Sequence, residues 1–362
     1  MSSNSSFQST CLVTGGAGFI GCALSSGLAN RYERVVVVDN LHPQIHKVRE
    51  RPPALDVRCE LVVGDVTDAS TWDAVLRDFS PQAVVHLAAE TGTGQSLTES
   101  TRHAMVNVVG TSQMLDGLTR HQSVPQKFVL SSSRAVYGEG VWRRGNGELF
   151  HPGQRTQQQL AAAQWDFAGA TPLPFRGALT PPAPTSVYGA TKLAQEHVLN
   201  SWALARVSSP RILRLQNVYG PGQSLSNPYT GIVSLFVRLA KAGKAIPLYE
   251  DGEMSRDFVF IDDVAAALLA ALDAPTGGFV HDVGTGVAAS IRQVAELIAE
   301  RYGSPAPVVT GQFRNGDVRH AACDIQDTVK SLAWRPQVDL RTGLNLLCDW
   351  IDEHLNPAVG TV

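Results

Sequence analysis

Cysteine is scarce, with 5 in 362 residues, at Cys11, Cys22, Cys59, Cys323 and Cys348. They are odd in number and widely spaced, with no metal-ligand pairing among them, so small buried thiols in a reducing cytoplasm are expected. A polybasic run is also missing. The 30 Lys and Arg against 33 Asp and Glu leave a net charge of −3, and neither nucleic acid nor an anionic membrane is an expected partner. No apolar run approaches the ~18 residues of a membrane span; the longest are residues 35–38 and the Ala-rich 264–272. The opening MSSNSSFQST has neither the basic start nor the apolar core of a secretory signal, and residues 1–9 read as a disordered tail. Ten histidines show no metal-ligand clustering, so no metal is expected. What remains is a chain with 44% apolar residues, enough for a large domain carrying a smaller lobe.

The stretch TCLVTGGAGFIGCALSSGLANRYERVVVVDN carries the strongest pattern. A short apolar strand ends at Thr14; Gly15, Gly18 and Gly21 follow, and Ala23, Leu24, Leu28 and Ala29 continue an apolar helical face. Residues 35–38 form a second strand, apolar throughout as a strand covered on both faces should be. Glycines at such a turn let the backbone approach a pyrophosphate held at the helix N-terminus. Asp39 ends the next strand 18 residues beyond Gly21, where its carboxylate would accept from ribose hydroxyls and repel a 2′-phosphate. NAD is therefore expected rather than NADP.

Strands at 60–63, 83–87, 127–130 and 211–215 alternate with helices at 70–79, 98–119 and 187–207. That alternation predicts an α/β fold, a Rossmann-type doubly wound parallel sheet over residues 10–218. Asp65 and Val66 fall at a strand end, where ligands lie in such sheets; Asp65 would cap its loop or contact the adenine. From Gly220 the sequence turns to Gly/Pro loops and short elements, as expected of a smaller α/β substrate lobe over 219–362, partly interleaved with the first domain. Here a helix is expected over 230–242, and residues 246–265 read as a hairpin leading into a helix capped by Asp262 and Asp263. His86 is expected to pack at a strand end.

In the helix that opens TSVYGATKLAQEHVL, Tyr188 and Lys192 stand four positions apart on one face. A phenol holds its proton until about pH 10, and a nearby ammonium favours the phenolate. The pair could thus serve as an acid/base near neutrality, although Y-x-x-x-K by itself also suits a surface pair.

GGAGFIG at 15–21, Asp39, GDV at 64–66, HLAA at 86–89, SSSRAVYG at 131–138, YGATK at 188–192, RLQNVYGPGQ at 214–223 and RDFVFIDDVA at 256–265 together resemble one family. It is the extended short-chain dehydrogenase/reductases, specifically the NAD-dependent nucleotide-sugar epimerase/dehydratase family. The resemblance implies a cofactor site of Gly15, Gly18, Phe19, Ile20, Gly21, Asp39, Asn40, Asp65, Val66, Leu87, Ala88, Ala89, Asn107, Ser131, Tyr188 and Lys192. It implies that Ser133 bridges the sugar hydroxyl and the tyrosine, that Tyr188 is the acid/base, and that Lys192 holds the nicotinamide ribose and lowers the tyrosine pKa. Asn217, Arg256, Arg314 and Arg319 would contact the nucleotide diphosphate beside Ser133, arginine being suited to phosphate by its planar fork. A homodimer is expected from the helices at 98–119 and 187–207.

Departures narrow the chemistry. Where sugar 4,6-dehydratases of this family carry Asp-Glu after the catalytic Thr, this chain has Arg134 and Ala135, neither able to exchange a proton in that role. The insert at about 139–180 holds no Cys; its front is a lid or a packing flap. With HLAAETGTGQS it resembles sequences described as dTDP-L-rhamnose 4-epimerases, which form dTDP-6-deoxy-L-talose. The expected activity is an NAD-dependent nucleotide-sugar 4-epimerase working through a transient 4-keto sugar. The alternatives are a 4-ketoreductase or dehydrogenase, a 4,6-dehydratase, or a non-catalytic NAD-binding protein.

Overall fold

Four consecutive valines, Val35 to Val38, have β-branched side chains on both faces of the backbone and need cover on both sides. All four are buried, in the second strand of a seven-stranded sheet. The structure is a computed structural model describing residues 9–206, 209–225, 231–275 and 280–354. The tail expected over 1–9 lies, apart from Ser9, outside the described residues. The sheet is built from β1 (Thr10–Thr14), β2 (Arg34–Asp39), β3 (Cys59–Val63), β4 (Ala83–His86), β5 (Lys127–Ser133), β6 (Ser209–Leu215) and β7 (Val280–Val283). Their order is β7-β6-β5-β4-β1-β2-β3 and every pairing is parallel. The order reverses between β1 and β4, which opens a crevice at the C-terminal ends of the strands. The last strand of the sheet comes from the second half of the chain, so the two halves interleave.

Two helices aim the chemistry at that crevice. α1 (Phe19–Ala29) leaves the glycine turn after β1, and no side chain caps its N-terminus. α2 (Val187–Leu204) starts at Ser186, whose side chain accepts from Gly189 N at 3.0 Å. The helix expected to reach 207 ends at Leu204, and residue 207 lies outside the described residues. The long helix expected over 98–119 is helical over residues 100–120, but widens to a π-helical turn at Met105–Val109 centred on Asn107.

The second half departs from expectation in two places. Residues 246–265 form no hairpin. Pro247–Leu248 pairs in parallel with Val308–Val309. Ser255–Phe260 pairs in parallel with Asn217–Tyr219 and His320–Ala321, and antiparallel with Ala288–Ser290. Strand partners from distant sequence outcompeted a local turn. Asp262 and Asp263 do not cap the helix Ile261–Asp273, which starts from Phe260 without a side-chain cap. Buried Asp263 instead accepts from Gln337 N at 2.8 Å and Val338 N at 3.0 Å, pinning a distant loop. The helix expected over 230–242 runs Ile232–Lys241, with Thr230 outside the described residues.

The insert folds as a small antiparallel sheet of Trp142–Arg144, Leu149–Phe150 and Ala170–Pro172. Its Arg155 is buried and donates to both carboxylate oxygens of Glu250, each at 2.8 Å. That ion pair packs the front of the insert onto the second half of the chain. Among the described residues no helix is long and apolar enough to cross a membrane, and no group of three or more His, Cys, Asp or Glu is placed to hold a metal.

Candidate active site

The crevice is a cleft of about 920 Å³, the size range of small-molecule sites. Its floor is the glycine turn. Gly15 takes φ +66, and a Cβ there would lie 2.7 Å from the Ala88 backbone; a Cβ on Gly21 would lie 2.4 Å from Gly16. Both approaches require glycine. They bring the uncapped start of α1, with its unpaired N–H groups and positive dipole end, to the cleft wall. Asp39 closes one side. Its carboxylate accepts from Ala17 N at 3.1 Å and Leu41 N at 2.9 Å, which ties the end of β2 to the glycine turn. A cradle that any Cβ would fill, an uncapped helix start and an acid at the end of β2 fit NAD.

At the other end, Ser133 and Tyr188 both line the cleft, the serine side chain near enough to the phenol to lower its pKa. The phenol is raised above its usual value by burial; the Ser133 side chain and the Arg134 guanidinium pull it back down. Lys192 stands one turn after Tyr188 on α2. Buried beneath the cleft rather than lining it, it donates through Nζ to Gln195 Oε1 at 2.5 Å. Burial pulls its pKa down to about 7, opposed by Glu196. A lysine kept from water needs a polar partner, and Gln195 supplies it while also donating to His86 Nε2 at 2.9 Å. His86 does more than pack at a strand end. It contacts Thr14, Thr111 and Gln195, and burial lowers its pKa to about 3.

The sequence-predicted residues divide cleanly. Gly15, Gly18, Phe19, Ile20, Asp39, Asn40, Val66, Leu87, Ala88, Ala89, Ser133, Tyr188 and Asn217 line the cleft. Gly21, Asp65, Asn107, Ser131, Lys192 and Arg256 stand behind its lining. Asp65 is held by Thr67 and by Asn40 Nδ2, the loop-bracing role. Asn107 ties the loop after β4 to α2. Arg256 is buried and donates to the Ser255 carbonyl at 2.7 Å.

Two arginines expected on the diphosphate are elsewhere. Arg319 is buried and bonded to Asp166, Glu250 and Asp251 through all three guanidinium nitrogens, which leaves no fork for a phosphate. Arg314 is exposed over the ring of Tyr249, with 5.0 Å to the centroid, away from the cleft lining. Conversely, Arg134 lines the cleft and donates through Nε to Asn217 Oδ1 at 2.6 Å. The residue was in plain view within SSSRAVYG, but it registered only as a missing acid.

Comparison with known proteins decides the family. The model of the "NAD dependent epimerase/dehydratase family" matches residues 11–284. The chain belongs to this family. A family member from Burkholderia thailandensis described as dTDP-L-rhamnose 4-epimerase is 59% identical over 346 residues, 95% of each chain. A UDP-glucose 4-epimerase from Mycolicibacterium smegmatis is 30% identical over 92% of this chain and 95% of its own. Among solved structures, the UDP-glucose 4-epimerase of Thermotoga maritima with UDP-glucose matches at TM-score 0.79 and 28% identity, covering 96% of this chain and 100% of that one. The Thermus thermophilus UDP-glucose 4-epimerase in complex with NAD matches at 0.75 and 28%, over 94% and 98%. The doubly wound sheet, the NAD cofactor and the epimerase chemistry expected from the sequence all agree with this family.

Proposed function

We propose that this NAD-dependent nucleotide-sugar 4-epimerase takes dTDP-L-rhamnose and forms dTDP-6-deoxy-L-talose. The observation that carries the substrate is the 59% identity along 95% of the chain to the Burkholderia enzyme of that name. The geometry supports the reaction class. NAD, held by the turn at Gly15 and Gly18 and by Asp39, would supply a reversible acceptor for the hydrogen and electron pair of C4. Tyr188, as phenolate, takes the 4-hydroxyl proton, and Ser133 holds both the reacting oxygen and the phenol. The hydrogen returns to C4 on the other face of the 4-keto sugar while Tyr188 gives the proton back to the 4-oxygen, so the centre inverts with no net redox change. Positions 134 and 135 present a guanidinium and a methyl to the cleft, so dehydration finds no acid or base there.

The roles given to Ser133, Tyr188 and Lys192, and to the cleft-lining residues as NAD contacts, belong to the same reading. Asn217 and Arg256 remain as candidates for the diphosphate; Arg314 and Arg319 do not. The reading also includes a homodimer in the cytoplasm. Partly exposed Met105 and the outward Leu204, on the two helices expected to pair, support the dimer, and sedimentation measures it.

The test incubates purified protein with dTDP-, UDP- and GDP-sugars without added cofactor and follows stereochemistry by NMR. Interconversion at C4 of dTDP-L-rhamnose with no NADH produced is expected. A stoichiometric need for NAD(P)H would place the protein with the ketoreductases; bound NAD without turnover of any sugar would make it a non-catalytic NAD-binding protein.

A further inference from the structure

Tyr188 has to lose its proton to act as a base, and its half-buried position opposes that. Lys192, the cation expected to help, is turned into the fold toward Gln195. A second cation, Arg134, stands in the cleft lining with Tyr188. The turn Arg134–Tyr137 packs against the start of α2 so tightly that a Cβ on Gly189 would lie 2.4 Å from the Ala135 carbonyl oxygen. That contact sets Arg134 in the cleft wall beside Tyr188, whose phenol feels its charge.

Arg134 is anchored and yet uncommitted. Its Nε is fixed on Asn217 Oδ1 at 2.6 Å, while its two terminal amino groups have no hydrogen bond or ion pair among the described residues. Arg155 and Arg319, by contrast, are held in buried ion pairs with Glu250. Glu139, Asp317 and Arg256 surround Arg134, but neither acid closes on it as an ion pair. Burial and Arg256 bring its own pKa down to about 9, so it stays cationic at pH 7. Also against Tyr188 are the His103 ring, edge-on with centroids 6.5 Å apart, and the Ser96 hydroxyl, which accepts from the Tyr188 backbone.

We propose that Arg134, anchored by Asn217, is a second positioning cation of the acid/base beside Lys192: its guanidinium stabilises the Tyr188 phenolate that takes the 4-hydroxyl proton. The proton of the resting phenol goes to solvent; the substrate's hydroxyl proton then takes its place on the same oxygen. The inference rests on the epimerase reading for what the phenolate does, but not for whether it forms.

The test titrates the NAD-loaded protein by tyrosinate ultraviolet absorbance, each variant read against its own Tyr188→Phe partner. In Arg134→Met the Tyr188 midpoint is expected to rise by about 1 pH unit or more, and in Arg134→Lys by less. The acid limb of kcat/KM should move with it, so that activity at pH 7 falls about tenfold and recovers at alkaline pH. Should Arg134→Met fail to fold, as judged by circular dichroism, Arg134→Gln replaces it, with the same upward movement expected. An unchanged Tyr188 midpoint in a folded charge-removing variant would overturn the proposal, including where KM alone rises, as for an arginine that only grips substrate. Because the titration needs no turnover, a shift in a protein that epimerises nothing would uphold this inference while defeating the functional reading.

Discussion

Asn107 donates to Thr191 Oγ1 at 2.9 Å and holds the backbone of Glu90 by both its N–H, at 2.8 Å, and its carbonyl, at 3.1 Å. One fully buried amide thus joins the loop after β4, which lines the cleft, to α2 at the residue before Lys192. The π-helical turn around Asn107 widens the helix at the point where the amide leaves it. In Asn107→Ala the Glu90 backbone and Thr191 lose their partners. The expected loss is about 2 kcal/mol of stability in urea unfolding, with weaker NAD binding by fluorescence titration. Unchanged values for both would remove the brace.

Gly15→Ala forces a side chain onto φ +66 and into the Ala88 backbone 2.7 Å away. Strain of about 1–3 kcal/mol is expected, together with loss of NAD affinity as the turn moves. Gly94→Ala, where a Cβ meets nothing within 4 Å, serves as control and should leave both unchanged. Calorimetry of the two variants with and without NAD makes the comparison.

Arg319→Met takes one of two cations from buried Glu250, which keeps Arg155, and removes the partner of partly exposed Asp251. A loss of about 1–3 kcal/mol is expected from the charge-assisted hydrogen bonds removed, the exposed carboxylates being screened by solvent. Material that remains folded should show a KM for the nucleotide sugar within about twofold of wild type; a KM raised tenfold or more in stable protein would return Arg319 to the phosphate.

His86 is neutral and buried, its pKa lowered from 6.5 to about 3 by desolvation first and the Lys192 charge second. Lowering the folded value favours the native state above pH 6.5, and that stabilisation is lost as the pH falls toward about 3. Stability should therefore decline through that window, by no more than roughly 5 kcal/mol for this group. His86→Gln should flatten the decline in a pH series of urea unfolding; an identical slope would assign it to other groups.

Much of this was legible because it is local. The glycine turn, the Val35–Val38 strand, the serine triplet and the Tyr188 helix each declare themselves within a few residues, and their order implies the sheet. Pairings across long separations were not. Arg319 looked like one of several phosphate arginines, and only folding shows Glu250, 69 residues away, and Asp166, 153 away, consuming it. The partner strands of Ser255–Phe260 come from three distant segments, so a local hairpin was the natural but mistaken reading. Lys192 was placed correctly on its helix, but Gln195 three residues on sets the direction of its ammonium. Arg134 was visible throughout; its bond to Asn217 spans 83 residues and could not be.

The central claim is that hydrogen leaves C4 of the sugar and returns to the same carbon within one cleft. Deuterium placed at C4 of dTDP-L-rhamnose tests it most directly, with products followed by NMR and mass spectrometry in ordinary water without added cofactor. The account predicts a mixture of the two C4 epimers with the deuterium retained at C4. Wash-out of the label into solvent, or no epimerisation until NAD(P)H is supplied, would contradict it.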